Sequence, residues 1–296
     1  MIATETKHYS VEQEGTQKVH WFRFDNWYDY IALAENGDTE LDDSSRHSRG
    51  DVRSGSWDNG ANFTDAIELA RKGWKEGTTE LHSRIKNFEN IMPSRRFRQE
   101  TVMDITGPGV LDFGRWAMGH PEAWMVQREN EVVDTKTGNI IQMVFNISAS
   151  SGVKTSEMMN KGAAIVGLID LLEQAGKRVE LDLVAGIRGK RGTSIRTQVR
   201  VKDASSPVDI ERLAFAMAHG ASFRRVVFSL LEQAPLGARQ ACSVPGNYGI
   251  PEDFYLTDAA DAVYIPTSSM EFFRSEASRV AWVTAELAAR GVVLED

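Results

Sequence analysis

The sequence contains little cysteine and no long apolar run, and both absences restrict the class of protein. Cys242 is the only cysteine among 296 residues, so the chain can form neither an internal disulfide nor a Cys-x-x-Cys zinc site. No run of about eighteen apolar residues occurs, and residues 1–10 lack the basic and apolar regions of a secretory signal. These absences predict a cytoplasmic protein that does not interact with membranes.

Known catalytic patterns are absent as well. The sequence has no Gly-x-Ser-x-Gly, P-loop or Gly-x-Gly-x-x-Gly motif, and His20, His120 and His219 lack the spacing of a metal pair or a triad. We therefore expect a non-catalytic protein. Its net charge of −8 argues against a surface that wraps nucleic acid as a whole, but it is compatible with a local basic groove.

The order of apolar segments predicts an α/β fold. Strands are expected at residues 140–145, 179–184, 194–202, 225–231 and 262–265, with helices at 155–174, 207–219 and 270–290. This order is typical of an open, doubly wound, mostly parallel sheet with helices on both faces. We expect a mainly helical and irregular N-terminal region at 1–130 and the sheet domain at 131–296, or one continuous unit of both.

Positive charge is concentrated in a predicted hairpin. Residues 177–202 carry eight lysines and arginines against two acids, Glu180 and Asp182. On the strand 194–202 apolar and basic side chains alternate, which predicts one core face and one basic face. The alternative is a solvated edge strand whose cations prevent edge-to-edge pairing. The binding hypothesis assigns phosphate contacts to six residues of this hairpin, namely Arg188, Lys190, Arg191, Arg196, Arg200 and Lys202.

A second basic set and an aromatic cluster fit the same hypothesis. Arg95, Arg96 and Arg98 flank Phe97, and residues 21–30 hold several aromatic rings. Proteins that bind single-stranded nucleic acid combine cations for the backbone with rings on which bases stack. The alternative for most of these rings is packing in the core or under a lid.

A five-residue motif follows the strand 140–145. Asn146, Ser148 and Ser150 have the spacing of the Asp-x-Ser-x-Ser metal motif of von Willebrand factor A-type domains, and residues 140–296 resemble that family in their predicted order. The resemblance implies a Mg²⁺ site of Ser148, Ser150 and Glu232, and a protein-interaction module. Asn146 replaces the leading aspartate and so removes an anionic ligand that Mg²⁺ favours. In the alternative, the serines only cap the following helix.

Several short motifs together resemble a family of tailed-bacteriophage proteins. They are Ser56-Trp-Asp-Asn-Gly60, Gly73-Trp-Lys-Glu-Gly77, Asp112-Phe-Gly-Arg-Trp116 and Phe223-Arg-Arg225. The chain is further similar to the single-stranded DNA-binding RNA polymerase cofactors of podoviruses. This resemblance implies action in the host cytoplasm, with single-stranded DNA and a phage RNA polymerase or another phage protein as partners.

Overall fold

A mixed α/β architecture with a central, mostly parallel sheet organises the protein. The structure is a computed structural model that describes residues 7–38, 41, 47–51, 53, 58–88, 97–131, 140–256, 259, 262–267, 273–292 and 294, with the backbone alone at 87, 97–100 and 129–131. The strands are β1 (Tyr9–Glu14), β2 (Gln17–Phe24), β3 (Phe97–Asp104), β4 (Val110–Leu111), β5 (Trp124–Glu131), β6 (Ile140–Asn146), β7 (Arg178–Arg188), β8 (Thr193–Lys202), β9 (Ile250–Pro251) and β10 (Val263–Ile265). The α-helices are α1 (Trp27–Asn36), α2 (Phe63–Lys72), α3 (Lys75–Ile85), α4 (Phe113–Ala117), α5 (Thr155–Gln174), α6 (Ile210–Ala218), α7 (Phe228–Leu231), α8 (Leu236–Cys242) and α9 (Glu276–Ala289). A π-helix, Ser222–Val227, leads directly into α7.

The central sheet has the order β1-β2-β8-β7-β6-β10, and β9 pairs with β7. The pairs β2–β8, β7–β6 and β6–β10 are parallel, whereas β1–β2, β8–β7 and β7–β9 are antiparallel. Strands β1 and β2 therefore extend the sheet beyond β8. The N-terminal region, which was expected to be mainly helical and irregular, thus also contains strands of the central sheet. Strands β3, β5 and β4 form a separate small sheet.

Eight of the described α-helices, α1–α3 and α5–α9, pack on one face of the central sheet. The main core combines residues of α1–α3 and α5–α9 with strand residues such as Phe22, Met143 and Leu183. A smaller apolar cluster on the opposite face contains Trp21, Val144, Val184 and Phe254 and includes no helical residue. The expectation of helices on both faces is therefore wrong for the described part of the chain.

Local sequence explains the best-defined elements. Helix α2 begins with a capping box, in which the Asn62 side chain accepts from the Asp65 amide and the Asp65 carboxylate accepts from the Asn62 amide. Helix α5 spans the predicted residues and is buried over most of its length. Gly167 lets α5 approach Phe88, because a Cβ at this position would lie 2.6 Å from the phenylalanine ring. The helix thus forms the centre of the layer that covers the sheet.

Candidate nucleic-acid interface

Strands β7 and β8 form the predicted antiparallel hairpin. Register pairs Arg188 with Ser194, and the connecting turn has Arg191 and Gly192 at positive φ, +55° and +65°. The left-handed region favours glycine and is strained for most other residues. The turn is anchored because the Lys190 amide donates to the Ala241 carbonyl at 2.9 Å and the Lys18 amide donates to the Gly192 carbonyl at 2.8 Å. The hairpin end is therefore held in a defined position beside the β1–β2 turn.

The predicted exposed basic face is wrong at Arg196. This side chain is buried, with only 3% of the residue exposed, and its Nε and Nη2 both donate to Glu252 at 3.1 Å. Its Nη1 donates to Glu14 at 2.7 Å. Burial disfavours the charge, but the two carboxylates outweigh this effect and raise the pKa of Arg196 above its ordinary value. Arg196 therefore joins distant segments inside the protein and is not available to phosphate.

Lys202 and Arg200 are also engaged within the protein. Lys202 is 3% exposed and contacts Glu173 at 2.6 Å, and its Nζ donates to the carbonyls of Val179 and Ser206. Hydrogen bonding to Asp182 raises the pKa of Arg200, and Glu180 lies 3.2 Å from it. The hypothesis counted only Glu180 and Asp182 as neutralising acids. It could not anticipate that Glu14, Glu173 and Glu252 come from distant parts of the sequence.

Of the six hairpin residues assigned to phosphate contacts, the three that are exposed lie at the end where the turn joins β7 to β8. Arg188, Lys190 and Arg191 are exposed, and Lys18 of β2 is exposed beside them. Within the described part of the chain none of the four forms an ion pair. We call Lys18, Arg188, Lys190 and Arg191 the hairpin tip. It is a local concentration of accessible positive charge on an acidic protein.

The second basic set contributes no described side chain. Arg95 and Arg96 lie outside the described residues, and Arg98 lies in β3 opposite Asn130 with only its backbone described. The aromatic cluster 21–30 has a structural role instead. Trp21, Phe22, Phe24, Trp27 and Tyr30 are buried, whereas Tyr28 is exposed. Most of these rings thus pack in the interior and cannot stack on bases.

The predicted metal ligands do not fit a cation site. The Ser148 hydroxyl accepts from the Gly186 amide at 2.8 Å and donates to its carbonyl at 3.2 Å. The Asn146 side chain accepts from the Ser148 amide and donates to the Glu252 carbonyl. Ser150 is exposed, and its carbonyl accepts from Arg224. The loop after β6 therefore uses its polar groups to connect β6 with β7 and with the segment after β9.

Glu232 does not join that loop. The predicted strand 225–231 is helical, since it belongs to the π-helix and α7, and Glu232 follows the end of α7. Its carboxylate accepts from the Ser48 amide at 2.9 Å and from the Ser48 hydroxyl at 2.6 Å. A short apolar run fits a buried strand and a buried helix equally well, which explains the error. Among the described residues no group of three or more His, Cys, Asp or Glu is arranged to hold a metal ion.

A buried lysine lies where β6 and β10 end. Lys161 of α5 donates from Nζ to the carbonyl of Asn146 at 3.1 Å and to that of Pro266 at 2.6 Å. Burial lowers the pKa of Lys161 to about 7, and the nearby Asp253 partly opposes this. Lys161 of the helix layer thus links the carboxyl ends of β6 and β10. This edge of the sheet carries the ligand in many α/β proteins.

Two of the quoted sequence motifs meet in the interior, which sequence reasoning missed. Arg225 of the π-helix donates to Asp58 at 2.7 Å and to the carbonyl of Gly50 at 3.1 Å. The adjacent Arg224 donates to the carbonyls of Ser150 and Val153. The sequence did contain a signal for this contact: two adjacent arginines within an apolar run become buried and then need buried partners. These arginines hold residues 47–50, Asp58 and the loop after β6 against the helix layer.

The histidines do not gather at one place. His20 and the Tyr9 hydroxyl form a hydrogen bond with each other. His219, at the end of α6, is buried against the Trp74 ring. The His219 Nδ1 accepts from the Ala221 amide at 3.1 Å, and burial lowers the pKa of this imidazole to about 4. His219 is therefore neutral in the folded protein at pH 7.

We predict that His219 makes the protein acid-sensitive. The imidazole is protonated in the unfolded chain below its ordinary pKa of 6.5 but resists protonation in the fold down to about 4, so stability falls as the pH falls through this window. The expected loss is about 3 kcal/mol. His219→Asn keeps an acceptor for the Ala221 amide and removes the titration. Urea unfolding at pH 7 and at pH 4.5 should show a smaller loss in the variant, and an equal loss in both proteins would contradict this assignment.

The fold and these contacts define a mixed α/β protein with one helix layer and a basic hairpin end. A family model described as a domain of unknown function, DUF7192, matches residues 6–292. The chain belongs to this family. No curated protein and no solved structure matches the chain. In the described part of the chain, no helix combines the length and the apolar character needed to cross a membrane.

Proposed function

We propose that the protein binds the phosphate backbone of single-stranded DNA with the hairpin tip. The observation that carries this proposal is the accessibility of Arg188, Lys190 and Arg191, which lie exposed at one end of β7 and β8. Lys18 adds a fourth cation next to them. Arg196 and Lys202 hold the hairpin to other segments and Arg200 joins β8 to β7, so the three side chains position the tip indirectly. The binding surface is thus smaller than the six-residue basic face expected from the sequence.

The electrostatics of the chain favour a local mode of binding. The protein carries a net charge of −8, so the chain as a whole repels phosphate and the tip is a local concentration of positive charge that attracts it. Each phosphate that a cation neutralises on a single strand changes the slope of log affinity against log salt by about −0.7. Four tip cations therefore predict a slope of about −3.

A charge-removing variant of the tip tests the location of the site. In Lys190→Gln with Arg191→Asn, two phosphate contacts are lost, and asparagine tolerates the positive φ at position 191. Fluorescence anisotropy of a labelled single-stranded oligonucleotide should show weaker binding and a slope reduced to about −1.4.

The matched control removes the same charge elsewhere. Arg178 is exposed at the opposite end of β7, about 33 Å from Arg188 along an extended strand, and Lys86 is exposed after α3. Arg178→Gln with Lys86→Gln should leave the slope at its wild-type value. Equal slopes in the tip variant and the control variant would show that binding follows net charge alone, which contradicts the proposal.

We further propose a cytoplasmic role in phage transcription or replication, with a phage RNA polymerase or another phage protein as partner. Support comes from the resemblance of the quoted motifs, two of which form the Arg225–Asp58 contact.

Cys242 is buried, and burial raises the pKa of its thiol to about 11, which keeps the thiol protonated and unreactive at neutral pH.

A second candidate is a metal-independent interaction module of the von Willebrand A type. The strand order β8-β7-β6-β10, with β8 antiparallel to its neighbour and α5 connecting β6 to β7, favours it. The one-sided helix layer is a departure from that fold. An experimental structure in which these four strands and α5 superpose on such a domain would support the likeness, and a different strand order would contradict it.

A further inference from the structure

An open cleft lies on the sheet face that carries no described helix. Strands β1, β2, β7 and β8 form its floor, and residues around 255 form one wall. Its volume of about 650 Å³ falls within the range of pockets that hold small molecules or short peptide segments. The hairpin tip does not line it. The cleft is thus a second potential site, independent of the proposed DNA contact.

Carboxylates outnumber cations in this cleft. Two arginines, Arg23 and Arg200, line it together with five acids: Glu12, Glu14, Asp25, Asp182 and Asp203. Arg23 pairs with Glu12, and Arg200 pairs with Asp182, so the two arginines are already engaged. Asp25 and Asp203 are exposed, and Asp203 lies 3.8 Å from Arg200. The cleft therefore attracts positive charge and repels phosphate.

An exposed aromatic ring adds to this attraction. Tyr255 lines the cleft with 77% of its surface exposed, and its ring leans against Tyr264 at a centroid distance of 4.6 Å. The free face of an aromatic ring attracts an ammonium or guanidinium group. A ring beside exposed carboxylates is a common way to hold a cationic side chain.

The floor of the cleft also contains a hydrogen-bond donor without an acceptor. Trp21 of β2 is 2% exposed and lines the cleft, and its Nε1–H has no hydrogen-bond partner among the residues that the structure describes. Buried donors are nearly always paired in folded proteins, so this one is an exception that a ligand can explain. The ligand needs an acceptor for this donor as well as positive charge.

We propose that the cleft binds a basic peptide segment of a protein partner. Its lysine or arginine side chains would meet Asp25, Asp203 and Tyr255, and a backbone carbonyl would accept from Trp21 Nε1. The Arg23 guanidinium lies 4.1 Å from the centroid of the Trp21 ring and would have to move aside to admit that carbonyl. A peptide fits these groups better than a polyamine does, because a polyamine carries no acceptor for the indole.

Titration of the full-length protein with a short fluorescein-labelled peptide that alternates glycine with arginine tests the proposal. We expect saturable, salt-sensitive binding. Asp25→Asn with Asp203→Asn removes two negative charges that would face the peptide and should weaken binding at least about five-fold. Both acids are exposed, so their replacement leaves the core intact. Trp21→Phe keeps an aromatic ring, removes the donor and should weaken binding about three- to ten-fold.

Two controls separate this proposal from simple charge attraction. Glu76→Gln with Glu122→Gln removes the same charge from exposed positions outside the cleft and should leave peptide affinity unchanged. Spermidine should compete poorly with the peptide. The proposal is overturned if the two acid variants behave alike, if spermidine competes as well as unlabelled peptide, or if Trp21→Phe binds as tightly as the wild type while circular dichroism shows it folded.

Discussion

Arg196→Met should lower the free energy of unfolding by about 3–5 kcal/mol, which is the usual cost of breaking a buried ion pair. The substitution leaves the buried Glu252 without its cation, while Glu14 is partly exposed and can be solvated. Breaking a solvent-exposed ion pair would lower the free energy of unfolding by at most about 1 kcal/mol. Urea unfolding followed by tryptophan fluorescence measures the difference.

A paired variant tests the cause of this loss. Glu252→Gln in the Arg196→Met background removes the stranded charge and should recover a substantial part of the stability. A loss below about 1 kcal/mol in the single variant would show that Arg196 is solvated, as the basic-face hypothesis assumed. The folded fraction of Arg196→Met should also keep the salt dependence of DNA binding, because this side chain does not reach the surface.

Arg225→Met should have an effect of the same size, about 3–5 kcal/mol. Asp58 is fully buried and forms an ion pair with Arg225 at 2.7 Å, and its Oδ1 also accepts from the Gly60 amide at 2.9 Å. The arginine further donates to the carbonyl of Ser48 at 3.3 Å, and these bonds are lost with it. Residues 47–51 and the turn at 58–60 should loosen before the sheet unfolds.

Two measurements separate the ion pair from packing. Denaturant unfolding of Arg225→Met, Asp58→Asn and the double variant forms a cycle in which the double variant should lose less than the sum of the single variants. Limited proteolysis should cut Arg225→Met near residues 47–60 faster than the wild type. Additive losses in the cycle, together with unchanged proteolysis, would mean that the two side chains do not depend on each other.

Strong local signals predicted the elements around the hairpin. The apolar run before Asn146 became β6, the predicted helix at 155–174 became α5, and the basic turn joins β7 to β8. Each depends on periodicity or turn chemistry within a short window, which is where sequence reasoning is strongest. Strands β1 and β2 were missed because the aromatics of β2 suggested stacking and the pairing of β2 with β8 is distant in sequence.

The candidate site was only partly predictable for a related reason. Alternation along β8 correctly separates Ile195 and Val199 from Arg196 and Arg200, but it does not reveal whether the second face of the sheet is solvated. Burial of Arg196 depends on Glu14 and Glu252, which are 182 and 56 residues away in sequence. Only the turn residues Arg188, Lys190 and Arg191 could be identified as exposed from local chemistry alone, because turns lie at the surface.

The salt dependence of wild-type binding tests the central claim most directly. A labelled single-stranded oligonucleotide is titrated with the protein between about 50 and 200 mM salt, and a duplex of the same sequence serves as the comparison. Our account predicts tighter binding to the single strand, with affinity falling along a log–log slope of about −3. Binding that is absent at low salt, or that does not change with salt, would contradict the assignment of the hairpin tip as a DNA-binding surface.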